Sequence, residues 1–406
     1  MLRRTLTQIS RKFFHMRKTS ALNFHKAQIS THSEANSKPI LSSSELEEKL
    51  FGFNKTNLDQ LKSKVPHVDI GSFVETQTIC SETATELVNA LRDYGCVAIK
   101  DPRVNLNSNT RFVEMMSSYF NSRSQMLDNG QEIEEMFPEF GYETGITPEF
   151  TERARKHKET IAMLHEEEWP LTPQPPPKDS KWRYMYKVGN RKDSEDFSMP
   201  KVVPKDFPDF EKLSDEWSNS MVETLLSVSE LLASGLGLEQ NAFLKRMERG
   251  AHILGPTGSD MKKFDAGTIL AGFHYDFCML TIHGKSNYPG LFIWLRDGTK
   301  LPVVLEDGYL LIQSGKELEI FTGGLIKAGL HEVIITERAK EIYEERKELG
   351  IPHANWRVSS TVFGHVEHDC LVEPLGHFAT PDALEKYPPI TGLDLMKQEL
   401  METDLL

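Results

Sequence analysis

Cysteine is scarce in this chain of 406 residues: four occur, at Cys80, Cys96, Cys278 and Cys370, and no two form a Cys-x-x-Cys pair. A disulfide framework is thereby excluded, and free buried thiols in a reducing compartment are expected. No apolar run reaches the roughly 18 residues that a membrane-spanning helix needs. Internal repeats are absent as well. Positive charge is in deficit, with 47 Lys and Arg against 60 Asp and Glu, a formal net charge of −13. Such a surface repels a phosphate backbone, so nucleic acid is not an expected partner. The 39% hydrophobic content is enough for a sizeable core, in one large domain or two smaller ones.

One further absence is local. The first 33 residues hold no Asp or Glu, yet carry Arg3, Arg4, Arg11, Lys12, Arg17, Lys18 and Lys26. Leu2, Leu6, Ile9, Phe13 and Phe14 recur among them at near-helical spacing. An Arg-rich, acid-free amphipathic leader reads as an organellar transit peptide. The mitochondrial matrix is the expected destination, with a plastid or the cytoplasm as alternatives; a disordered basic tail is the other reading. Without these seven cations, the remaining 40 basic and 60 acidic residues leave a net charge of −20.

What is present is a set of metal-binding and anion-binding residue types at strand spacing. His-x-Asp/Glu occurs six times, starting at His32, His67, His157, His165, His274 and His365. Context separates His274 from the rest. Gly267–Leu270 and Phe277–Ile282 flank it with apolar residues, and Gly290–Leu295 and Tyr309–Ile312 follow as short runs between turn signals. Runs of this kind read as strands of a sandwich or barrel, and Asp297-Gly298 and Asp307-Gly308 suit hairpin connections. On a strand, residues i and i+2 share a face, so His274 and Asp276 can reach one metal. His331 follows a Gly-rich loop and opens Val333-Ile-Ile-Thr336. Two imidazoles and one carboxylate with open positions make the facial triad of non-haem Fe(II) oxygenases. Arg357 and Ser359 repeat the i, i+2 spacing with groups that suit a carboxylate.

The run His274-Tyr-Asp276, Leu280-Thr-Ile282, Gly290-Leu291, Asp307-Gly308, Leu330-His331-Glu-Val333, Arg357-Val-Ser359 and Pro374 resembles the isopenicillin N synthase-like branch of the Fe(II)/2-oxoglutarate-dependent oxygenases. Val65–Ile70 and Leu91–Ile99 resemble the opening of that family's N-terminal region. The resemblance implies a mostly β fold with flanking helices: a double-stranded β-helix (jelly roll) catalytic core preceded by an N-terminal α/β region. It further implies Fe(II) on His274, Asp276 and His331, and 2-oxoglutarate held by Arg357 and Ser359. Dioxygen would be the oxidant and a small organic metabolite the substrate, hydroxylated at a C–H bond or else desaturated or cyclised. The implied organisation is 1–38 leader, 39–64 polar linker with a capped helix at 44–50, 65–205 N-terminal region, 206–380 long helix plus jelly roll, and 381–406 C-terminal tail. The sequence leaves the oligomeric state unread.

Two departures bear on function. Relatives carry a tyrosine upstream of the His-x-Asp strand that helps hold the co-substrate, whereas this chain reads Ile253-Leu-Gly-Pro-Thr257. And 25 residues separate His331 from Arg357, where a short hairpin is usual. The extra Ala339–Leu349 predicts a charged helix stopped by Gly350 and Pro352, read either as a lid or docking element or as a solvated surface insertion. A stripe of Leu213, Trp217, Met221, Leu225, Val228 and Leu232 predicts a long core helix over 208–238. Cys278, His365 and one of Phe273, Tyr275 and Trp294 are candidates for the cavity wall, with packing as the competing reading, and His252 and His283 read as rim or core histidines. Two other functions stay open: an isopenicillin N synthase-like Fe(II) oxidase that does not consume 2-oxoglutarate, and a non-catalytic jelly-roll interaction protein.

Overall fold

A computed structural model describes residues 65–141, 143–191 and 199–405. The leader, the linker and the helix expected at 44–50 lie outside the described residues. Strands β1 (His67–Asp69) and β2 (Cys96–Lys100) run parallel. The helix α1 (Ser81–Asp93) joins them, burying Ala84, Leu87, Val88, Ala90 and Leu91 on one face. This unit is not a separate layer. Through β2 it extends a sheet whose next member is β11 (Tyr309–Ser314), deep in the C-terminal half.

That larger sheet also contains β3 (Gly145–Thr147), β4 (Trp182–Lys187), β5 (Ile253–Leu254), β6 (Thr257–Asp260), β8 (Leu280–His283), β13 (Trp356–Val358) and β14 (Thr361–Gly364). Its order is β1-β2-β11-β8-β14-β5-β4-β6-β13, with β3 beside β4. Strands β5 and β6 are two arms of one bent segment, interrupted at Gly255-Pro256, where proline offers no ladder N–H. Their partners bend likewise: β14 pairs with β5 and β13 with β6. The smaller sheet has the order β10 (Lys300–Pro302), β9 (Leu291–Trp294), β12 (Leu330–Ile334), β7 (Ile269–Tyr275). Together the two sheets form a jelly roll with flanking helices.

Alternation along the larger sheet sends one set of side chains to the helices and the other to the interior. Ile282, Val358 and Val362 join the main core; Thr281, His283, Arg357, Ser359 and Thr361 take the intervening positions. The helix side is covered by α2 (Leu106–Asp128) and α3 (Phe210–Gly235). All six residues of the expected stripe on α3 are buried, five of them completely. A fully buried Leu or Met contributes roughly 1.5–3 kcal/mol, so this stripe clamps the sheet that carries the site. The inserted segment forms α4 (Glu337–Glu348), capped by Thr336, whose Oγ1 accepts from Ala339 N at 3.1 Å. It buries Ala339, Ile342 and Tyr343 in a satellite core with Met261, Leu270, Tyr288 and Ile335. Near the C-terminus, α5 (Gly392–Glu402) buries Leu393, Leu395, Met396, Glu399 and Leu400. Among the described residues no helix is long and apolar enough to cross a membrane.

Candidate active site

Antiparallel pairing sets His331 on β12 directly opposite His274 on β7, with their ring centroids 4.1 Å apart. Asp276 lies one residue past the end of β7 and turns back between them. Its carboxylate oxygens stand 3.6 Å from His274 Nε2 and 3.8 Å from His331 Nε2. The three ligand atoms all lie within 4.8 Å of one another. Such gaps are too long for hydrogen bonds and suit donors that each approach one ion to about 2.0–2.2 Å.

The surroundings hold the donors in the required form. His274 Nδ1 faces the Gly272 carbonyl at 2.6 Å; as the donor there it leaves Nε2 with a free lone pair. Thr281 Oγ1 donates to Asp276 Oδ2 at 2.6 Å. Burial lowers the pKa of His331 to about 3, helped by the adjacent His274. At Asp276 burial disfavours the charge, but His331, His274 and Thr281 outweigh it and hold the carboxyl well below its usual range. Two imidazoles and a carboxylate, charged at −1 while the rings are neutral, fit a divalent cation.

Arg357 and Ser359 project into the same cavity, of about 200 Å³. Arg357 is 4% exposed. Its Nε donates to the Pro289 carbonyl at 3.2 Å, and no acidic partner faces it among the described residues. Burial lowers its pKa to about 10, so it stays cationic at neutral pH. Gly290 keeps the passage for this side chain. With φ +134° and the Ile334 carbonyl against it, a Cβ there would clash and would also lie 3.4 Å from Arg357 Nε. Ser359 Oγ lies 2.9 Å from Thr257 Oγ1 and accepts from Thr257 N at 3.1 Å. Thr257 thus stands beside Ser359, in the segment where the resemblance expects a tyrosine.

The cavity wall also carries groups that the sequence did not single out. Lys181 pairs with Asp179 at 2.7 Å, and Arg183 with Glu152 at 2.9 Å. Arg155 pairs with Glu399 of α5 and bonds the Tyr275 hydroxyl. Leu400, Thr403 and Leu405 complete this wall, so the C-terminal segment covers one side of the cavity. These residues come from three distant stretches with no fixed spacing, and no motif announces them. Of the candidates named from sequence, Tyr275, Cys278, His283 and His365 do line the cavity. Cys278 is fully buried, its Sγ 3.1 Å from Thr281 Oγ1, and burial raises its thiol pKa. Phe273 and Trp294 pack edge-on at 4.7 Å. His252 is a core residue bonded to the Met247 carbonyl and the His365 N–H.

No family model matches the chain. Gibberellin 20 oxidase 2 of Oryza sativa subsp. indica is 26% identical over 192 residues, 47% of this chain and 44% of that protein. The match therefore spans less than half the length of that curated relative. Among solved structures, a Caulobacter crescentus protein described as of the 2OG-Fe(II) oxygenase family is 21% identical with a TM-score of 0.62, covering 83% of this chain and 98% of its own. Neurospora crassa T7H in complex with alpha-KG and thymine is 18% identical with a TM-score of 0.61, covering 83% and 96%. What these structures share with this chain is the fold, a jelly roll with flanking helices.

Proposed function

We propose that this chain is an Fe(II)- and 2-oxoglutarate-dependent dioxygenase of the isopenicillin N synthase-like branch, hydroxylating a C–H bond of a small organic metabolite. One observation carries the reading: a buried arginine with no acidic partner among the described residues shares a cavity with a two-histidine, one-carboxylate donor set. His274, Asp276 and His331 would hold the metal, and Arg357 the far carboxylate of 2-oxoglutarate. The flat guanidinium fork matches a carboxylate better than a lysine ammonium does. Fe(II) with 2-oxoglutarate supplies the oxidising power, one atom of dioxygen going to the hydroxylated product and one to succinate, with release of carbon dioxide. The chain's own share is positioning and exclusion of water. Thr281 and the Gly272 carbonyl fix the donors, and α5 with its ion pairs shields one side of the cavity. Similarity to a gibberellin oxidase, and a fold shared with a protein solved with alpha-KG and thymine, support a small molecule as the substrate class.

Thr257 in place of tyrosine favours a second reading, an Fe(II) oxidase of the same fold that does not consume 2-oxoglutarate. An anaerobic Fe(II) titration followed by 2-oxoglutarate, watched by visible absorbance, separates them. The expected result is a weak charge-transfer band that needs both components and is lost in Arg357→Ala while Fe(II) still binds. Oxygen uptake indifferent to 2-oxoglutarate selects the oxidase. Failure of the folded protein to bind Fe(II) leaves the non-catalytic interaction protein.

A further inference from the structure

A second cavity, of about 690 Å³, adjoins the first: His283, Gly284, Ser286, Leu291 and Arg357 line both. Its volume lies within the roughly 300–1,000 Å³ of small-molecule sites. One wall comes from α2 and another from the inserted segment, through Ile342, Arg346 and Ile351–Ala354. The insertion that separates His331 from Arg357 in sequence therefore encloses a space that ends at Arg357.

The charges of the two cavities differ. In the first, Lys181, Arg183 and Arg155 are each engaged by carboxylates, and α5 lies across one side. An anion arriving there meets Glu143, Glu152, Asp179 and Glu399. In the second, Lys285 is neutralised by Asp307 at 2.6 Å. The exposed Glu114 is the other carboxylate of that lining, set against Arg346 and Arg357. Arg346 is half-buried, with its guanidinium 4.9 Å over the Tyr288 ring and no acidic partner among the described residues. On a chain of net charge −13, this is a cleft in which Arg346 and Arg357 leave the positive charge in excess. Clefts of one sign concentrate the opposite ion and speed its arrival.

We propose that the second cavity is the passage by which small dicarboxylates, 2-oxoglutarate inward and succinate outward, reach and leave Arg357, with Arg346 as the outer cationic station. The proposal rests on the reading that Arg357 takes 2-oxoglutarate. It assigns the insertion a role in co-substrate traffic, apart from the side of the cavity that α5 covers.

The test is stopped-flow fluorescence of 2-oxoglutarate binding to the anaerobic Fe(II)-loaded full chain. Arg346→Glu is expected to slow association by about tenfold, to weaken its dependence on ionic strength, and to leave Fe(II) affinity unchanged. Val303→Trp, which adds bulk to the wall of the second cavity, is expected to slow association and dissociation in proportion, with Kd unchanged. A passage gives that signature; a binding contact changes Kd. Wild-type association rates in both variants overturn the passage and leave the function standing. No 2-oxoglutarate binding by the Fe(II)-loaded wild type overturns the function, and the passage with it.

Discussion

The two ends of the catalytic cavity are prepared in opposite ways. At the candidate metal end, on the smaller sheet and the turn after it, two imidazoles and a carboxylate converge. The outer atoms of His274 and Asp276 are already bonded to Gly272 and Thr281. At the Arg357 end, on the larger sheet, one guanidinium is buried with a single carbonyl contact and no counter-ion among the described residues. Burying an uncompensated charge costs several kcal/mol, and Arg357 leaves one at the second end, whereas Thr281 and the two histidines hold the Asp276 carboxylate at the first. The donor set of the first end would fit a divalent cation, and the guanidinium of the second a carboxylate.

The comparison breaks most severely if the carboxylate is removed. Asp276→Ala is expected to weaken Fe(II) binding by more than the roughly 100-fold that marks loss of an outer-shell partner. Anaerobic titration checks this, and an affinity within tenfold of wild type would mean that the triad is not the metal site. A smaller effect is expected from Thr281→Val, which keeps the shape but deletes the 2.6 Å donor to Asp276 Oδ2. Fe(II) affinity should fall by about 10- to 100-fold, with 2-oxoglutarate affinity at saturating Fe(II) unchanged. If the dicarboxylate affinity falls in step with the metal, the two ends are not independent.

The metal end was legible because strand periodicity and a short motif coincide at His274 and Asp276. Only pairing between β7 and β12, which sequence does not state, brings His331 opposite His274. The long core helix was equally legible, since one apolar stripe repeats through about five turns. The insertion was legible as a helix, but its buried face was not. Its charged composition hides Ala339, Ile342 and Tyr343, whose i, i+3, i+4 spacing marks a buried face and was the signal available. The ion pairs of the cavity wall had no such signal. Arg155, Lys181, Arg183 and Glu399 meet only because β4 joins the larger sheet and α5 folds back across the mouth.

The mildest test sharpens the Arg357 end. Thr257 lines the cavity beside Ser359, their hydroxyls 2.9 Å apart. The pair offers two small polar groups within one bent segment of sheet, in the stretch where a tyrosine was expected. If Thr257 helps to bind the far carboxylate, Thr257→Val removes one neutral hydrogen bond and spares Arg357. A bond of that kind contributes about 0.5–1.5 kcal/mol net, so 2-oxoglutarate affinity should weaken by roughly two- to tenfold. Fe(II) affinity should not move, because Thr257 touches none of the three donors. Titration of both ligands on one sample decides it: an unchanged 2-oxoglutarate affinity would leave Arg357 and Ser359 alone at this end, and a shift in Fe(II) affinity would show that Thr257 acts through the fold instead.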